Sequence, residues 1–207
     1  MANSAPEGDV SKPRPIWTPS VPQDEIPMNI YRAHINRKFH QNLQSSQELH
    51  KWSVENLQEF WVDLHKYTGI IPSLPSHITT AFDARTPMED VPKFFQGAQV
   101  NYAENVLSGR DLKKRALIGV REGQDLDGEV WTWALLRENV RKARSALLQL
   151  GVREGDRVAA IISTSVWSVG LFLATASIGA IWTSIAPDLG EEVRIRHDHL
   201  FMWYLSF

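Results

Sequence analysis

The sequence predicts an α/β protein: a helical N-terminal preface followed by a mainly parallel βαβ portion. Three observations predict it. After Arg110 the apolar residues stop recurring at helical spacing and gather into short runs separated by helix-length segments. Strand, helix, strand in that order implies right-handed crossovers between parallel strands. Finally, none of the 30 residues from Val158 to Pro187 is charged, as expected where a sheet is covered on both faces. With 22 Lys plus Arg against 24 Asp plus Glu and 43% apolar residues, the composition is that of a folded chain.

Residues 1–29 hold six of the eleven prolines and read as a disordered tail, because proline removes backbone donors and fixes φ. Trp17 is its expected anchor onto the folded body. In YRAHINRKFH (31–40), Ile35 and Phe39 lie four apart on one helical face. Arg32, Arg37 and Lys38 could meet a phosphate, but a charge run beside an apolar stripe is ordinarily a solvated face. His34 and His40, six apart, read as surface residues. Leu57, Phe60, Trp61 and Leu64 then fall at i, i+3, i+4 and i+7 of a helix with Ser53 as N-cap and Gly69 as its stop. Its aromatics, Trp52, Phe60, Trp61 and Tyr67, read as core ahead of a ligand box. Pro72, Pro75, Pro87 and Pro92 mark 69–96 as an irregular connector over the surface.

ALIGV (116–120) and EVWTW (129–133) read as two strands of a hairpin closed by GQDLDG (123–128). A helix beginning at Thr132 or Trp133 follows, with its stripe through Leu136, Val140, Ala143, Leu147 and Leu150 and its end at Gly151. RVAAIIS (157–163) is a strand, 165–178 an apolar helix, and AIWTSI (180–185) a further strand. The uncharged run is also longer than the roughly 20 residues that span a bilayer. Its eight Ser and Thr residues, with Gly170 and Gly179, favour the buried βαβ unit.

Chemistry is sparse. A net charge of −2 supplies no field for a polyanion, which argues against nucleic acid as a main partner. The absence of cysteine removes disulfides, thiolate catalysis and cysteine-based zinc sites, and fits a cytoplasmic protein. The first thirty residues contain no apolar core of a secretory signal. Neither GxxxxGK[ST], GxGxxG nor GxSxG occurs. Asp125 and Asp127 would repel a phosphate from the hairpin loop, and Asp156 reads as a turn residue. His197, Asp198 and His199 lack a third metal ligand at sensible spacing. No catalytic, cofactor-binding or metal-ligating residue is assigned.

Four strings carry more than composition does: LHKWSVENLQEFWVDLHKYTGI from Leu49, PKFFQGAQVNYAENVL from Pro92, TWALLRENVRKARSALLQLGVREGDRVAAII from Thr132 and ATASIGAIWTSIAPDLG from Ala174. In this order they resemble the opening part of the AMP-forming acyl-CoA synthetase (adenylate-forming) superfamily. The first, second and fourth resemble its acetoacetate branch. The resemblance covers about residues 28–190 and implies a helical region over 30–108, an incomplete AMP-binding domain over 109–190 and a tail unlike the family over 191–207. It implies acetoacetate–CoA ligation: ATP adenylates the carboxylate with release of diphosphate, and the CoA thiol then displaces AMP. ATP, CoA and Mg²⁺ would serve the full-length family, with acetoacetate or a similar short acyl acid as small-molecule substrate and no membrane or nucleic-acid partner. None of the three is expected to bind well here, because the family's phosphate loop and catalytic lysine lie downstream of the residues present.

The chain is accordingly expected to be a fragment of a truncated or altered gene product, inactive alone. A sheet cut after a few strands would expose an edge and an apolar face, and so favour aggregation. Three alternatives stand beside this reading: another short-chain acyl-CoA synthetase, a non-catalytic interaction or regulatory fragment, and a membrane-anchored protein using residues 158–187.

Overall fold

A computed structural model describes residues 16–121, 123 and 128–188, together with the backbone of Trp203–Ser206. The chain divides into two units, Met1–Val62 and Asp63–Phe207. The division falls within a helix.

The described part of the first unit is helical. Trp17 is 76% exposed, so it anchors nothing, contrary to expectation. Helix α1 (Pro27–Lys38) begins inside the expected tail, since Pro27 occupies its first turn, where no N–H is required. Ile35 is fully buried and Tyr31 nearly so, while Arg37 and Lys38 face solvent. His40 is exposed, and His34 is half-buried and stacked on Tyr31 with ring centroids 5.8 Å apart. The single helix expected across 49–68 is two, α2 (Ser46–Glu55) and α3 (Leu57–Thr68), parted at Asn56, whose ψ of 52° is not helical. Ser53 lies inside α2 and donates to the His50 carbonyl. The cap is Ser45, whose hydroxyl accepts from Glu48 N–H at 3.2 Å. Gly69, at φ +68°, does end α3.

The second unit holds α4 (Tyr102–Leu107), a hairpin of β1 (Arg115–Gly119) and β2 (Glu129–Thr132), and α5 (Trp133–Gln149). The unit β3 (Arg157–Ile161), α6 (Val166–Ile178) and β4 (Ile181–Ile185) follows, and β5 (Trp203–Ser206) comes last. β1 and β2 pair antiparallel with an irregularity between Arg115 and Leu117. β3 pairs in parallel with β4, Ala159 opposite Thr183, and on its other side with β5, Ala159 opposite Tyr204. β3 therefore lies in the middle of this sheet, between β4 and a strand from the stretch read as a foreign tail, with β4 and β5 at its edges. Among the described residues no helix is long and apolar enough to cross a membrane. The 13 residues of α6 extend about 20 Å against a hydrocarbon core of about 30 Å.

α5 and α6 pack on each other, and α4 packs on α6. The core between them includes Trp131, Leu136, Val140, Leu147, Val158, Val166 and Leu173. Gly170 admits the Trp131 ring to the surface of α6: a Cβ there would stand 3.2 Å from Trp131 Cζ3. The connector at 69–96 has one short 3-10 turn (Met88–Asp90) and a small core of its own. Ile78 and Ala81 are buried, and Phe82 stacks on Phe94 at 5.0 Å.

Candidate functional site

The two ends of the β3–β4 pair are built differently. At the amino end Gly155 and Asp156 form a structural clasp: the Asp156 carboxylate accepts from Arg153 N–H at 2.9 Å and its carbonyl from Ile181 N–H at 2.7 Å, while Gly155 N–H donates to the Gly179 carbonyl. Asp156 thus has the turn role expected of it. At the carboxyl end, where open α/β sheets place ligands, Ile162 N–H still donates to the Ile185 carbonyl at 3.1 Å. The chain then leaves β3 through Ser163 and Thr164 into α6. Ser165 caps that helix, accepting from Ser168 N–H at 3.3 Å, while the Ser168 hydroxyl accepts from Ser165 N–H at 3.2 Å. This reciprocal box satisfies two of the donors at the start of the helix, Ser165 N–H and Ser168 N–H, from within.

Beside this end lies a cavity of about 660 Å³. Its walls come from the second half of α5, the start of α6, the exit of β3 and Pro187, and its polar lining residues are Arg121, Ser163 and Ser165. A second hollow of about 200 Å³ shares Arg121 and Ser165. The β3–α6 loop carries no lysine, and among the described residues Arg121 is the one cation in either lining. Among the described residues no three His, Asp or Glu side chains converge as metal ligands. Among the described residues, one guanidinium beside a capped helix does not match the charge of a triphosphate with Mg²⁺.

The NYAEN string has a plain physical role. Asn101 caps α4, accepting from Glu104 N–H at 3.1 Å, and its side-chain amide donates to the Ala176 carbonyl at 2.8 Å. Asn105 accepts from Ile71 N–H at 2.9 Å and donates to the Ile71 carbonyl at 2.7 Å. The two amides tie α4 to α6 and to the connector. On α3 the buried residues include Asp63 and His65, at 2% and 5% exposure. His65 lies edge-on to Phe95 at 5.2 Å, its Nε2 has no hydrogen-bond partner, and burial, with Lys66 nearby, lowers its pKa. Trp52 is buried as expected, Phe60 and Trp61 are half-buried, and Tyr67 is exposed. Arg121, Asn101, Asn105 and His65 were not singled out by spacing. The Asn-x-x-Glu of 101–104 was the available signal for α4. Asp125, Asp127, His197, Asp198 and His199 lie outside the described residues.

Comparison with known proteins agrees with this frame. The profile of the AMP-binding enzyme family matches residues 106–197. That match takes in somewhat less than half of the chain. Over a longer span, the chain is 37% identical over 163 residues to acetoacetyl-CoA synthetase of Xenopus tropicalis, covering 79% of this chain and 24% of that protein. The solved acetoacetyl-CoA synthetase from Streptomyces lividans superposes with a TM-score of 0.81 at 30% identity, over 94% of this chain and 30% of that one. A malonamoyl-CoA synthetase of Penicillium aethiopicum is 34% identical over 180 residues, covering 84% and 24%. The chain spans about a quarter of the length of the curated relatives it matches.

Proposed function

We propose that the activity to which this chain contributes is acetoacetate–CoA ligation: ATP, acetoacetate and CoA give acetoacetyl-CoA, AMP and diphosphate. The observation that carries the reading is the superposition on the Streptomyces lividans enzyme over nearly the whole chain. Residues 30–108 are the helical region of such a ligase and 109–190 the opening of its AMP-binding domain, in a cytoplasmic protein. In this reading ATP, CoA and Mg²⁺ are held by parts of the ligase other than these residues. The 207 residues supply scaffold, with the NYAEN amides and the β3–α6–β4 unit as its fixed points, and they are inactive alone. Relatedness to a malonamoyl-CoA synthetase supports a second acid, since the segments compared do not form the acyl pocket in this reading.

Two measurements test this. The purified chain should show no acetoacetate-dependent exchange of diphosphate into ATP, and exchange above background would overturn the scaffold role. A chimera carrying residues 28–188 in place of the matching part of the Xenopus tropicalis synthetase should keep acetoacetate-dependent turnover. A folded chimera without it would contradict the proposal.

A further inference from the structure

A further cavity of the second unit, about 400 Å³ in volume, lies among α4, α5 and the last turn of α6, at the end of that helix opposite the β3 exit. Small-molecule sites run roughly 300–1,000 Å³. Arg137, Arg141 and Arg144 of α5 line it, at i, i+4 and i+7 and so on one helical face, and all three are exposed. Arg141 is engaged: the Glu138 carboxylate accepts from its Nε and Nη2, each at 2.8 Å. Arg137 and Arg144 have no ion pair or hydrogen bond among the described residues. Like charges at these spacings repel, and an anion between them relieves that repulsion. Across the cavity Glu104 of α4 is the one acid among the described lining residues, and the half-buried Ser108 and Ser177 add hydroxyls. Ser177 donates to the Ala174 carbonyl at 2.6 Å, which leaves its oxygen able to accept. The α4 wall is fixed before any ligand arrives, by the Asn101 amide on the Ala176 carbonyl and by Tyr102 against Phe172, ring centroids 5.7 Å apart.

We propose that this cavity binds a phosphate ester of a small polyol, with the phosphoryl group between Arg137 and Arg144 and the hydroxyls at Glu104, Ser108 and Ser177. Guanidinium forks pair phosphoryl oxygens two at a time. The carboxylate accepts hydroxyl protons and disfavours ligands that are anionic throughout, diphosphate included. A neutral polyol would leave both free guanidiniums unmatched. The inference rests on the cavity and not on the ligase reading, and no reaction is assigned to the site.

Isothermal titration of the 207-residue chain with glucose 6-phosphate, glucose, inorganic phosphate and diphosphate tests the proposal, at about pH 7.5, where a phosphate monoester is largely dianionic. Glucose 6-phosphate should bind at one site and glucose should not. Inorganic phosphate should bind about tenfold more weakly than the ester, the worth of one or two hydroxyl hydrogen bonds. Arg137→Gln and Arg144→Gln should each weaken the ester and phosphate alike, about two- to fivefold, as for an exposed ion pair. Glu104→Ala should hold inorganic phosphate at least as well and shrink the tenfold preference for the ester. Arg153→Gln, an exposed arginine outside the lining, should change nothing. Each substituted residue is exposed, so the circular dichroism spectrum should be preserved throughout. Absence of ester binding, or diphosphate binding more tightly than the ester, would overturn the site. A loss in Arg153→Gln equal to that in Arg144→Gln would show bulk attraction in place of a site. An undiminished preference for the ester in Glu104→Ala would overturn the placement of the hydroxyls.

Discussion

Helices α3 and α6 are nearly equal in length, 12 and 13 residues, yet they are buried by opposite logic. On α6 the buried residues are Val166, Gly170, Leu171, Leu173, Ala174 and Thr175, and both ends close on themselves, through the Ser165–Ser168 box and Gly179 at φ +82°. On α3 the buried residues are Asp63 and His65, while Leu57 is 40% exposed. At about 100° per residue, Asp63 and His65 fall on the two flanks of the Leu57–Leu64 stripe. The lesson is that helical period identifies a helix but not its most buried positions. Burial of α6 is a transfer of apolar surface, insensitive to pH. Burial on α3 carries the His65 imidazole, whose pKa is lowered, and so couples folding to protons.

The contrast breaks most decisively at α6. Trp131→Ala removes the ring seated on Gly170 and should cost about 3–5 kcal/mol in urea denaturation. A loss under 1 kcal/mol would mean that the hairpin and α6 do not share a core. Deleting residues 203–207 should next expose the β3 edge, speeding exchange of β3 amides and raising the mass seen by light scattering. Unchanged exchange would show that β5 does not hold that edge. Ser165→Ala should cost about 1 kcal/mol by opening the box at the N-terminus of α6.

His65 sharpens the other side of the comparison. Its pKa is lowered in the folded protein, so the unfolded chain binds the proton first. Its contribution to stability is complete above the unfolded value near 6.5 and is lost as pH falls from there through the folded value. His65→Gln should flatten that part of the stability profile, and an unchanged slope between pH 7 and 5 would contradict the assignment. The smallest effect belongs to Glu138, whose carboxyl is held down to about 2 by hydrogen bonds from Arg141. The pair faces solvent, so Glu138→Ala should leave the denaturation midpoint at neutral pH within error.

Most of the second unit was legible in the sequence because local signals agreed. The α5 stripe, its start at Thr132 or Trp133, and the order β3, α6, β4 follow from period and Ser/Thr/Gly punctuation. The break at Asn56 was not legible, since the apolar residues run through it and the cap lies at Ser45. Nor was α4, whose six residues are too few for a periodic pattern. The cavity at Arg121 joins residues distant in sequence, and only the packing of α5 against α6 assembles it.

The central claim is that residues 157–185 fold as strand, helix and strand, with the two strands parallel. Nuclear Overhauser spectroscopy of the labelled chain addresses it directly. Cross-strand contacts should join the Val158–Trp182 and Ala160–Ser184 pairs, with sequential helical contacts confined to Val166–Ile178. Unbroken helical contacts from 157 to 185, without the cross-strand set, would contradict the account.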